Sequence, residues 1–351
     1  MRSLPLLVCL LLLLGSQVYA QSATVTPLTP TPNPLPARWT LNIGGHEPQT
    51  WNNCGPATLT NALKFFGYRD NQARAASWLK PNYEDKNVSP WQMAEYVNQH
   101  VPELDVYAMV RHGGTLQLLK TLLAADFPVI VEMGYDPEPE RLGWMGHYLL
   151  VKGYDDAQGV FITSDSYLGD NKTYTYEHVA RFWKHFNYLY IVLYTGNREA
   201  DLKALLGDNA DEQTNILNAL AIARAEASAN NADAFAWFNM GTNFTLLGMY
   251  PEAAIAYDEA RKWGLPFRML WYQFGPFEAY YHTGRYDDMI VLAQQNLNDG
   301  GGQYVEETYY YGALARMGRG ETARALDNLN AALQFNPNFT PAKEAKARIG
   351  G

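Results

Sequence analysis

Cys54 lies in the run Gln49-Thr50-Trp51-Asn52-Asn53-Cys54-Gly55-Pro56-Ala57, directly ahead of a stretch with helical character. A thiol is a weak nucleophile until it ionises. The unpaired N–H groups and the dipole at a helix N-terminus favour the thiolate. Gln49, five residues upstream, could aim its side-chain amide at the same reacting atom as the Cys54 backbone N–H, giving two donors for an oxyanion. The spacing alone fits an ordinary loop glutamine equally well. Cysteine catalysis also needs a base and a group to orient it. Of the seven histidines, His147 is the best placed, at the start of an apolar run after Gly146. The following strand leads to Thr163-Ser164-Asp165. In an antiparallel pair the end of the second strand lies beside the start of the first, so Asp165 can reach the His147 ring. Taken singly, His147 also reads as a packed core histidine and Asp165 as a turn former.

Certain elements must hold these residues in place. Residues 55–66 read as a helix, with Pro56 in the first turn and Gly67 as its stop. A second helix spans 89–100, opened by Ser89 and Pro90, and a third spans 116–125. Short β-type runs follow at 128–133, 147–154, 160–163 and 188–194, with 155–159 (DDAQG) as the hairpin loop between the second and third. Helices followed by an antiparallel meander is an α+β pattern. Trp51 and Trp144, near Cys54 and His147 in sequence, could wall a cleft or pack at its rim. His46 reads as a loop residue. The other histidines (100, 112, 178, 185 and 282) lack metal-ligand spacing and no Cys pair accompanies them, so no metal or cofactor is expected.

The segments PQTWNNCGPATLTNALKFFGY, FPVIVEM and GHYLLVKGYDDAQGVFITSDSYLG together resemble the C39-like peptidase family, which has a papain-like fold. The resemblance covers most of residues 39–196. It implies that Cys54 is the nucleophile, His147 the general base and acid, Asp165 the orienting group and Gln49 the oxyanion donor. The sequence departs from the family pattern in one place: many members have Asp-Pro where this chain has Asp165-Ser166. Asp170, on an expected loop, is a candidate substitute. The activity implied is hydrolysis of peptide bonds. Acyl transfer or cleavage of cell-wall peptides could use the same residues, and an inert domain in a protein-binding scaffold is a further alternative.

Residues 1–20 read as an export signal, with Arg2, the apolar run 4–14 and the Val18-Tyr19-Ala20 cleavage site. The expected location is therefore secreted or extracytoplasmic, with no stable transmembrane segment after cleavage. Loss of this segment would remove Cys9 and leave Cys54 as the one thiol, so no internal disulfide could form. Residues 21–38 form a Pro/Thr-rich linker. From 197 to 351 the chain has continuous helical periodicity. Gly248-Met249-Tyr250 recurs as Gly284-Arg285-Tyr286 and, more loosely, as Gly318-Arg319-Gly320. The segment 237–241 with Phe244, Ala253, Tyr257 and Ala260 resembles a tetratricopeptide repeat. This predicts an all-α repeat domain that offers a surface to a protein or peptide partner. A net charge of −9 among 351 residues leaves no basic patch for nucleic acid.

Overall fold

The computed structural model describes residues 34–136 and 143–350. Its sheet has seven strands: β1 (Arg38–Thr40), β2 (Val106–Arg111), β3 (Val129–Tyr135), β4 (Met145–Asp155), β5 (Val160–Asp165), β6 (Gly169–Thr175) and β7 (Tyr190–Thr195). All pairings are antiparallel, in the order β2-β7-β3-β4-β5-β6, and β1 pairs with the last residues of β4. The four strands expected from sequence are β3, β4, β5 and β7. The unexpected β6 reads Gly-Asp-Asn-Lys-Thr-Tyr-Thr and buries only Tyr174. Such a sequence forms a strand only because β5 supplies the ladder beside it. Asp170 therefore lies on an edge strand, not in a loop.

The expected export signal and most of the linker fall outside the described residues. The linker's end is held by the sheet: the Tyr154 hydroxyl donates to Pro36 O at 2.7 Å, and Arg38 already belongs to β1.

Helices α1 (Cys54–Lys64), α2 (Gln72–Leu79), α3 (Pro90–His100), α4 (Leu116–Ala124) and α5 (Tyr176–Trp183) accompany the sheet. Helix α1 packs on β3, β4 and β5, burying Leu59, Ala62 and Leu63 completely. Gly67, at φ +87, follows the turn that ends it. Helix α3 opens with the Ser89 N–H bound to Gln92 Oε1 at 2.7 Å, which satisfies one donor at its start.

The remainder is helical: α6 (Glu199–Leu206), α7 (Glu212–Ala229), α8 (Ala234–Leu246), α9 (Tyr250–Trp263), α10 (Gly275–His282), α11 (Tyr286–Asn298), α12 (Glu306–Gly318), α13 (Thr322–Phe335) and α14 (Thr340–Arg348). Among the described residues, no helix is long and apolar enough to cross a membrane. Helices pair as α8/α9, α10/α11 and α12/α13, and each pair turns at a left-handed glycine: Gly248, Gly284 and Gly320, at φ +71, +72 and +75. Both intervals are 36 residues (284 − 248 and 320 − 284). The third turn is thus Gly320 where the sequence pattern had suggested Gly318. Gly318 instead closes α12 against the Tyr286 ring, where an added Cβ would fall 2.3 Å from ring carbons.

The helical half grips the sheet half at several places, two of them as follows. The Asn187 and Asn243 side chains bond to each other, and His185 stacks on Phe235 with centroids 3.7 Å apart. At the second place, Asn336 Nδ2 donates to Leu79 O and Asn338 Nδ2 to Trp78 O. Beside this contact the loop carrying Asp85 meets Glu306 and Glu307, the first residues of α12. Ser89 Oγ and Asn87 Nδ2 both donate to Glu307 Oε1. All three carboxyls are buried, and those of Asp85 and Glu306 lie within hydrogen-bonding reach of each other. Burial is the main cause raising all three pKa values, and for Asp85 and Glu307 the neighbouring carboxylates add to it. Buried Lys80, itself pushed down by burial, is the nearby cation.

A folded-state pKa above the unfolded one stabilises the fold fully below about pH 4, the ordinary carboxyl range, and that contribution is lost as pH rises. Removing one buried charge should therefore help at high pH. Glu307→Gln, which keeps the Oε1 acceptor, is expected to raise the midpoint of thermal unfolding at pH 8 by about 2–4 °C. The gain should shrink towards pH 4.5. A lower midpoint at pH 8 would contradict the proposed repulsion.

Candidate active site

Cys54 is the first residue of α1, and the loop before it is shaped for that placement. Asn52 takes a left-handed φ of +53, a conformation an Asn side chain tolerates. Gln72, buried at the start of α2, ties the loop together. Its Oε1 accepts from Thr50 N at 2.8 Å and from Asn53 Nδ2 at 2.6 Å, while its Nε2 donates to Pro48 O at 2.7 Å. Nothing in the sequence singled out Gln72, because a glutamine 18 residues beyond the cysteine (72 − 54) carries no local signal.

His147 and Asp165 meet across β4 and β5. His147 Nε2 lies 2.9 Å from Asp165 Oδ1, with both side chains buried. The other ring nitrogen, Nδ1, is left for Cys54, to which the ring is hydrogen-bonded. Asp165 is fully enclosed, and both of its oxygens have donors. Oδ1 also accepts from the N–H groups of Tyr167 and Leu168 at 2.8 and 3.1 Å, and Oδ2 accepts from the Tyr174 hydroxyl at 2.6 Å. Tyr174 comes from β6, the strand that sequence reasoning missed.

These contacts fix the charges. Burial alone would raise the Asp165 carboxyl, but the hydrogen bond and charge of His147, with the Tyr174 hydroxyl, hold it well below the usual carboxylate range. Burial also works against a charged His147. The bonds to Asp165 and Cys54 overcome that and lift its pKa to about 10. For Cys54, burial pushes the thiol up, while His147 and the backbone N–H groups of Tyr148 and Gly55 bring it net below its ordinary value. Both shifts act in the direction of a thiolate facing an imidazolium.

Gln49 lies at the same cleft. Its N–H donates to Ser166 O at 2.7 Å, and the Ser166 hydroxyl donates to its Oε1 at 2.9 Å. The structure thus brings Cys54, His147, Asp165 and Gln49 together. Asp170 is not a substitute for Asp165, because it binds Lys152 Nζ at 2.5 Å. His46 bonds through Nδ1 to Ser164 Oγ at 2.7 Å.

The cleft holds about 420 Å³ and is walled by Gln49, Trp51, Lys86, Tyr135, His147 and Tyr167 from the sheet half. Trp51 is 55% exposed there. Trp144 packs behind the cleft, stacked on Phe186, with its Nε1 donating to His185 Nδ1. The helical half supplies Arg268, Trp271 and Tyr272 to the same cleft, on or just after a 3-10 turn (Phe267–Trp271). No sequence motif marked that turn. Tyr272 lies so close to Gly146 that an added Cβ at Gly146 would sit 2.9 Å from its ring, and burial beside Cys54 raises its hydroxyl pKa. Among the described residues, no group of three or more His, Cys, Asp or Glu side chains is arranged to hold a metal ion.

The model of the Peptidase_C39 like family matches residues 37–191. Among solved structures, a chain from Bacillus anthracis provisionally designated a C39-like peptidase aligns with a TM-score of 0.36 and 12% identity. The alignment covers 45% of this chain and 98% of that one. No curated protein matches the chain.

The charge state of Cys54 can be read by alkylation. Iodoacetamide should modify the wild type at a rate that reaches its plateau below about pH 8.5, the ordinary thiol value. In His147→Ala, only the Tyr148 and Gly55 N–H groups oppose burial, and the thiol should titrate above its wild-type value. At pH 7 the rate is then expected to fall about 10–100-fold, each pKa unit being a factor of ten in thiolate. Superimposable pH profiles would contradict the ion pair.

Proposed function

We propose that this protein is an exported cysteine peptidase in which Cys54 attacks a peptide carbonyl, His147 shuttles the proton, Asp165 orients the ring and Gln49 stabilises the oxyanion. The observation that carries the reading is the buried Asp165 carboxylate, with donors on both oxygens, bound to a His147 ring whose other nitrogen faces Cys54. Placing a charged pair out of water is costly unless every lone pair is met. A packing role alone would be served more cheaply by apolar side chains.

In the proposed reaction the thiolate adds to the carbonyl carbon, and the electron pair moves to oxygen. That oxyanion faces the Gln49 amide and the Cys54 N–H. His147 Nδ1–H protonates the leaving amine as the C–N bond breaks, leaving a thioester on Cys54 and a neutral ring. The ring then takes a proton from water. The hydroxide adds to the thioester, and the thiolate departs to restore the ion pair. Activity should follow a bell: lost at low pH as Cys54 takes a proton, and lost near pH 10 as His147 releases one.

We read the helical half as tetratricopeptide-like and as a recognition element acting at the cleft itself, since Arg268, Trp271 and Tyr272 stand in its wall. A substrate peptide would then touch both halves at once. A separate partner on the outer helices is compatible with this arrangement.

Incubation with casein-derived peptides, followed by mass spectrometry, tests the reaction. The wild type should yield new N-termini, and Cys54→Ala none. Added hydroxylamine should give hydroxamate products if the thioester forms. Products identical in wild type and Cys54→Ala would end the peptidase reading. Arg268→Ala should raise KM about 3–10-fold with kcat nearly unchanged, as expected for loss of uniform binding worth about 1 kcal/mol. An unchanged KM would remove the helical half from recognition.

A further inference from the structure

We infer that Ser166 is a positioning residue for the oxyanion donor: its hydroxyl locks the Gln49 amide so that the NH₂ end, not the oxygen, faces the reacting carbonyl. This rests on the peptidase reading above.

A serine hydroxyl has one hydrogen to donate. Ser166 is 1% exposed, so water does not compete for it. Its Oγ has two neighbours, Gln49 Oε1 at 2.9 Å and Thr58 Oγ1 at 3.4 Å. The Thr58 hydroxyl spends its own hydrogen on Tyr148 O at 3.1 Å. With its hydrogen spent, Thr58 Oγ1 can only accept, so the one Ser166 hydrogen has two acceptors to choose from; Gln49 Oε1, at 2.9 Å against 3.4 Å, is the nearer and receives it. An amide can turn about its last torsion at small cost, and its two ends are nearly the same shape. Only a fixed donor decides which end faces the cleft. With the oxygen turned inward, Gln49 would repel an oxyanion rather than bind it.

The backbone makes the lock rigid. Gln49 N–H donates to Ser166 O at 2.7 Å, so the two residues hold each other through main chain and side chain together. Asp165 and Ser166 are adjacent, and each side chain sets one part of the site. Asp165 holds the His147 ring and Ser166 holds the Gln49 amide. The end of β5 would thus align the proton carrier and the oxyanion donor from one point, and a shift there would disturb both.

Two probes separate this role from the state of the thiol. Alkylation by iodoacetamide needs the thiolate but forms no oxyanion. Acylation by 4-nitrophenyl acetate needs the same thiolate and passes through a tetrahedral oxyanion. In Ser166→Ala, iodoacetamide should react within about twofold of wild type, with an unchanged pH profile. The burst of 4-nitrophenolate should slow about 10–100-fold, short of the roughly 10²–10³ seen when such a donor is removed outright. Gln49→Ala sets the full loss, and Ser166→Ala added to it should cost little more, since both act through one group. Ser166→Thr, which keeps the hydroxyl, should recover most of the burst. If Ser166→Ala does not fold, Ser166→Gly takes its place. Acylation at the wild-type rate, additive losses with Gln49→Ala, or equal slowing of both probes would each overturn the proposal. A wild-type protein that gives neither fast alkylation nor a burst would overturn the peptidase reading, and this proposal with it.

Discussion

Everything at the cleft hangs on one buried hydrogen bond, His147 Nε2 to Asp165 Oδ1. It keeps the ring charged where burial would neutralise it, and the charged ring in turn draws the Cys54 thiol pKa down. The bond is possible only because Asp165 can remain a carboxylate out of water. Two backbone N–H groups and the Tyr174 hydroxyl, together with the ring, meet its oxygens. Those donors come from the β5–β6 turn and from β6. A polar edge strand with little core of its own thus supplies part of what holds Asp165 as a carboxylate.

The second constraint is the fit between the two halves of the chain. Gly146, just before His147, has no side chain, and Phe186 and Tyr272 occupy the space a Cβ would take. The start of the histidine's strand and the cleft wall from the helical half are therefore packed as one unit. The loop bearing Lys86, which lies over the Trp51 ring at 5.3 Å, is the same loop whose Asp85 meets the α12 carboxyls. Lys86 also lies over the Tyr304 ring of the helical half at 5.6 Å, so this loop joins the cleft's edge to the helices. The helical half thus forms part of the cleft wall as well as standing beside it.

The sequence disclosed the short-range parts of this arrangement. Cys54 ahead of a helix, Gly146 and His147 opening an apolar strand, and Asp165 ending the next are all local patterns. The antiparallel rule was enough to bring the last two together. It did not disclose β6, because that strand's residues are polar and gain their order from β5. Nor did it disclose Gln72 or Ser166, whose roles are hydrogen bonds to loops far away in the chain. The repeat period was read from glycines, and the structure moved the third from Gly318 to Gly320: only the turn glycine takes a left-handed φ, which a sequence pattern does not display. The contribution of Arg268, Trp271 and Tyr272 to the cleft was invisible, since it depends on how the two halves dock.

The ionisation of Cys54 can be observed without a substrate, from thiolate absorbance near 240 nm as a function of pH, taken as the difference between wild type and Cys54→Ala. The account predicts a titration below the ordinary thiol range in the wild type, displaced to the alkaline side of that range in Asp165→Asn. A thiol that titrates at or above its ordinary value in the wild type, unmoved by loss of the Asp165 charge, would contradict it.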